Sequence, residues 1–116
     1  MQPERRTRKR RYVMFYSRVY DRDSGEVLGQ LVDLTTDGIM IISDKYIASD
    51  IVFHLQLELP EDISPRQFLR FDAQSVWCRQ DIVPRFFDSG FKLIDVPEQD
   101  VAILERMVDT YGFRDL

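Results

Sequence analysis

Six of the seven residues from Arg5 to Arg11 are cationic. Guanidinium suits anion binding, because its planar fork sets two N–H groups against two oxygens at once. A second polar group follows further along, Asp33-Leu34-Thr35-Thr36-Asp37-Gly38. It combines a carboxylate that accepts from N–H donors, a hydroxyl that donates and accepts, and a glycine. Gly38 can take positive φ and lets backbone approach a bound molecule closely. Binding of an anion is the chemistry these two elements could share. Taken alone, a charge run is more commonly a solvated tail or a non-specific polyanion contact.

Other chemistries find few residues. His54, the only histidine, falls between apolar neighbours on the polar face of an alternating stretch, with no nucleophile motif around it. Cys78 is the only cysteine, which excludes an internal disulfide framework and a multi-cysteine zinc site and fits a reducing cytoplasm. It follows Trp77 and should point to the opposite sheet face, as filler rather than as a nucleophile. No GxxxxGK[ST] loop and no GxGxxG is present, and the acids are scattered without an EF-hand spacing. The sequence therefore predicts no enzyme, no metal and no resident cofactor.

The net charge of −4 over 116 residues conceals an asymmetry. Met1 to Tyr20 carry seven Lys or Arg against one Glu, a net of +6, while Asp21 to Leu116 carry nine against nineteen acids, a net of −10. A basic arm precedes an acidic body. The length suits one domain, and no run of roughly 18 apolar residues is present to span a membrane. The location expected is cytoplasmic, without membrane insertion.

The elements that must position these residues read mainly as strands. Met1 to Arg11 is too polar to offset the entropy of ordering and reads as a flexible arm, with the domain occupying 12–116. Aromatic and β-branched residues from Tyr12 to Tyr20, turn chemistry at Asp23-Ser24-Gly25 and an apolar stretch from Val27 to Leu34 predict a hairpin. Ile39 to Ile42 predicts a third strand. Ile51, Phe53, Leu55, Leu57 and Leu59 alternate as the core face of a fourth. Leu69, Phe71, Ala73, Ser75 and Trp77 do the same in a fifth, and Phe86 to Ile94 forms a sixth. Val101, Leu104, Met107, Val108 and Tyr111 then repeat at helical spacing, with Pro97 at the start and Gly112 at the stop, so a helix is expected over about 97–111. Six strands with local turns predict an antiparallel barrel or sandwich, with the helix covering an open end or edge.

Arg5, then Arg6-xxx-Arg10, then Asp33-x-Thr35-x-x-Gly38 together resemble the RxxxR and [D/N]xSxxG signature of PilZ domains, bacterial receptors for cyclic di-GMP. Either motif alone is weak; both in order, on the expected elements, are specific. The resemblance covers most of the chain and includes Val76-Trp77-Cys78 and Gly90-Phe91-Lys92-Leu93. It implies a six-stranded antiparallel β-barrel with the arginines ahead of the first strand and a helix after the last. It also implies that Arg6 and Arg10 clamp guanine and phosphate with Arg5 assisting, while Arg8, Lys9 and Arg11 add field strength.

By the same resemblance Asp33 accepts from the guanine Watson–Crick edge. Thr35 replaces the usual serine, keeping the hydroxyl and adding a methyl that could crowd the site. Trp77 could offer a stacking surface, although its alternation with Phe71 and Ala73 places it in the core.

The function implied is a stand-alone cyclic di-GMP receptor whose arm orders over the ligand against the DxTxxG turn and creates a surface for a downstream protein, as a monomer or weak dimer. Motility and biofilm control are the family's settings. The alternative is a PilZ-like protein-interaction adaptor that does not bind nucleotide. Non-specific nucleic-acid binding by the arm is a third reading, disfavoured by the acidic body, so no DNA or RNA partner is expected.

Overall fold

A computed structural model describes residues 17–111. Within them the strands are β1 (Arg18–Asp21), β2 (Val27–Leu34), β3 (Gly38–Ser43), β4 (Val52–Glu58), β5 (Phe68–Gln80) and β6 (Phe87–Ile94), followed by helix α1 (Glu98–Tyr111). Every strand pairing is antiparallel, and the order β1-β2-β3-β6-β5-β4 closes into a barrel through a β1–β4 seam. The barrel expected from the sequence is the fold found. The arm 1–11, the start of the first strand at Tyr12 and the stop at Gly112 lie outside the described residues.

The turn chemistry acts where it was read. Gly25 takes a left-handed φ of 78°, and its N–H donates to the Asp21 carbonyl at 2.7 Å, closing the β1–β2 hairpin. Alternation then builds the interior. Leu55 and Leu57 of β4, Leu69, Phe71 and Ala73 of β5, and Phe91 of β6 are buried against Leu31, Leu34, Ile39 and Ile41. Ile51 departs from the expected pattern: it precedes β4, is exposed, and uses its backbone to bind Ser75.

Helix α1 begins where Pro97 accepts from the Asp100 and Val101 N–H groups at 2.9 Å, with Glu98 and Asp100 favourably placed in the first turn. Leu104 and Met107 are fully buried in the same core as the strands. Polar contacts tie the helix to the β4–β5 connection, among them Arg66 to Asp100 at 2.9 Å, the Tyr111 hydroxyl to Asp62 at 2.7 Å and the Arg106 guanidinium to the Asp62 carbonyl at 3.5 Å.

Strict alternation fails at two places that matter for the site. In β2 Leu31 faces Ile41 and Asp33 faces Met40, so Val32 is an extra residue; in β5 Ser75 faces Phe91 and Trp77 faces Gly90, so Val76 is extra. Each bulge reverses the phase of the residues after it. Without them, Asp33 would follow Leu31 inward and Trp77 would follow Ser75 inward.

Candidate functional site

The two reversals bring the predicted residues onto one outer face. Asp33 on β2 lies opposite Met40 on β3, Met40 opposite Gly90 on β6, and Gly90 opposite Trp77 on β5. This row crosses four neighbouring strands, roughly 14 Å at the usual strand spacing. Together with Thr35, Gly38 and Val76 it lines an open depression of about 240 Å³.

Trp77 is a correction to the sequence reading. Its alternation with Phe71 and Ala73 pointed to the core, yet it is 37% exposed because the bulge at Val76 turns it outward. Cys78 does point to the opposite face, as expected, and packs half-buried against the core. His54 is exposed on β4 with Nδ1 3.1 Å from Asp23, away from the depression.

At the rim, the β2–β3 turn is organised by Thr35. Its N–H donates to the Gly38 carbonyl at 2.9 Å, and its Oγ1 accepts from the N–H groups of Asp37 and Gly38, both at 3.1 Å. The hydroxyl thereby satisfies turn donors that would otherwise need water. Asp33 Oδ1 accepts from the Leu34 N–H at 2.8 Å, which fixes the carboxylate on the outer face.

Gly38 is required for a different reason from the one its sequence position suggested. Its φ is not in the left-handed region; instead a Cβ there would stand 2.6 Å from the Phe91 carbonyl oxygen of the paired strand. Space, not φ, demands glycine.

Sequence reasoning missed Met40, Val76 and Gly90 as lining residues. The signal available for Gly90 was a glycine inside an otherwise regular strand, which commonly marks a close approach. Met40 and Val76 carry no signal beyond their strands, since facing depends on register.

The depression contains one carboxylate, from Asp33, and no cation lines it among the described residues. Arg5, Arg6 and Arg10 lie outside those residues. The chain does enter β1 beside the site: the Ser17 carbonyl accepts from the Leu31 N–H at 2.8 Å, two positions before Asp33. Among the described residues no group of His, Cys, Asp and Glu could hold a metal ion.

A family model of the PilZ domain matches residues 4–110. No curated protein sequence matches the chain. Among solved structures, the chain is similar to the PilZ domain with c-di-GMP of YcgR from Escherichia coli, with TM-score 0.63, 15% identity, and 83% of this chain and 80% of that one covered. It is similar to YcgR in complex with c-di-GMP from Escherichia coli, with TM-score 0.66, 16% identity, and coverage of 86% and 42%. It also resembles the Bacillus subtilis inhibitor of motility MotI/DgrA, with TM-score 0.60, 13% identity, and coverage of 82% and 46%. The chain spans less than half the length of the last two. Identities this low carry the fold alone, but the family model runs from the arginine motif through the barrel and along nearly all of the helix, and on that match the chain belongs to the PilZ domain family.

Proposed function

We propose that the chain is a receptor for cyclic di-GMP, with the ligand held between the arginine arm and the depression on the outer face of β2, β3, β6 and β5. The observation that carries this reading is the row Asp33–Met40–Gly90–Trp77, which sets a carboxylate at one end and an aromatic ring at the other. A guanine presents N–H donors along its Watson–Crick edge and a flat face for stacking, and these two ends meet those two needs. With Oδ1 bound to the Leu34 N–H, Asp33 leaves Oδ2 to the ligand.

The charge logic is complementary. Cyclic di-GMP carries two phosphodiester charges, which an acidic body alone would repel and which Arg6 and Arg10, assisted by Arg5, neutralise from the arm. Ordering of the arm over the ligand subtracts its entropy from the binding free energy and leaves a new surface, which a downstream protein reads. Location in the cytoplasm and a monomeric or weakly dimeric state belong to the same reading.

Titration calorimetry with cyclic di-GMP, beside GTP and cyclic di-AMP, tests it. Saturable, guanine-selective binding is the expected result. Arg6→Ala, Arg10→Ala and Asp33→Ala should each weaken binding by about tenfold or more, the scale of a lost charge-assisted contact. Unchanged binding in those variants would refute the clamp.

A second reading, an adaptor that binds no nucleotide, is favoured by one observation: Thr35 and Gly38 both have complete structural roles in the turn, so their presence does not by itself demand a ligand. A flat titration on folded protein selects it.

A further inference from the structure

Trp77 projects from the barrel, and the nitrogen-side edge of its indole stands against Gly90. An ideal Cβ built on Gly90 would overlap the indole at Nε1 and Cε2, so the ring occupies the space a side chain would fill. Gly90 is buried although it faces outward between Met40 and Trp77, because the indole covers it. The guanidinium of Arg79 lies 4.9 Å from the ring centroid.

The facing of Trp77 depends on the bulge, and the residue before the bulge is firmly anchored. Ser75 is 1% exposed. Its hydroxyl donates to the Ala48 carbonyl at 2.7 Å and accepts from the Ile51 N–H at 3.0 Å. Its carbonyl accepts from the Asp50 N–H at 2.7 Å, and its own N–H donates to the Ile51 carbonyl at 2.9 Å. These bonds to the β3–β4 connection pin Ser75 inward. With Val76 as the extra residue, Trp77 must turn outward onto Gly90.

We propose that Gly90 and Ser75 are positioning residues that seat Trp77 as a pre-set stacking wall, Gly90 by leaving room for the ring and Ser75 by fixing the bulge that aims it. This rests on the reading that the depression takes a planar base. A wall set in advance spares the ligand the cost of ordering a large side chain, which raises affinity without adding a contact.

Trp77 is the only tryptophan of the chain, so intrinsic fluorescence reports on this ring alone. Gly90→Ala should shift the emission to the red and increase quenching by acrylamide, because a methyl lifts the indole into water. Ser75→Ala should produce the same shift by loosening the bulge. For cyclic di-GMP, Gly90→Ala should bind about 5- to 150-fold more weakly, the range of one base–aromatic stack. Trp77→Ala should lose as much, and the double variant no more than either alone.

If Gly90→Ala fails to fold, Gly90→Ala made in the Trp77→Ala background should fold, since the ring that clashes is gone. Wild-type emission and quenching in Gly90→Ala, or an equal loss of stability with and without Trp77, would overturn the proposal. A wild-type chain that binds no cyclic di-GMP would overturn the receptor reading instead, and the fluorescence and stability coupling would still decide the seat.

Discussion

Thr35 shows how one side chain of the DxTxxG motif organises the local structure of the β2–β3 turn. Its hydroxyl accepts from two successive N–H groups of the turn that ends at Gly38, the kind of bond Ser makes equally well. The methyl is the only addition. Thr35→Ser should therefore leave thermal stability nearly unchanged, whereas Thr35→Val, which keeps the shape and removes the acceptor, should cost about 1 kcal/mol and weaken cyclic di-GMP binding as the rim loosens. Chemical denaturation and titration of the two variants side by side check this. A Thr35→Val protein as stable as wild type would show that water satisfies the turn unaided.

At the scale of elements, the barrel depends on a short seam. β1 has only four residues, and its pairing with β4 closes the structure. A polar cluster reinforces it on the outside. Glu58 accepts from the Arg18 backbone N–H at 3.1 Å, meets the Arg18 guanidinium at 3.0 Å, and accepts from the Tyr20 hydroxyl at 3.3 Å. Burial pushes the Glu58 pKa up, but the hydrogen bonds and charge of Arg18 and the Tyr20 hydroxyl together outweigh it and hold the carboxyl below the usual carboxylate range.

A carboxyl with a lowered folded pKa contributes stability above its unfolded pKa and loses that contribution as pH falls through the folded one. The stability gap between wild type and Glu58→Gln, followed by melts from about pH 7 to pH 3, should therefore narrow on acidification. A gap independent of pH would show that packing, not charge, holds the seam.

For the whole molecule, the helix is part of the barrel's core rather than an appendage. Leu104 and Met107 are fully buried, and Arg66–Asp100 fixes the first turn of α1 to the far side of the β4–β5 connection. Leu104→Ala should cost roughly 2–5 kcal/mol, the usual range for emptying a core leucine site. It should do so without changing cyclic di-GMP selectivity, because the helix is not among the elements that line the depression. Calorimetric melting and titration of the same sample separate the two effects. A helix that melts before the barrel would overturn the single core. Among the described residues no helix is long and apolar enough to cross a membrane.

Read alone, the sequence determined the elements and the class of fold. Period-two runs such as Phe53-Leu55-Leu57 and turn residues such as Gly25 act through local sterics and solvent partition, which do not depend on distant partners. It also singled out Asp33, Thr35 and Gly38, which the fold brings to one depression, while Arg5, Arg6 and Arg10 lie outside the described residues. Tertiary structure alone decided which way Asp33 and Trp77 face. A bulge arises from a mismatch between two paired strands, so the extra residues Val32 and Val76 look like ordinary strand residues until Ile41, Met40, Phe91 and Gly90 stand opposite. The same holds for Gly38 and Gly90. Their lack of a side chain is legible in the sequence, but the Phe91 carbonyl and the Trp77 ring that require it come from other strands.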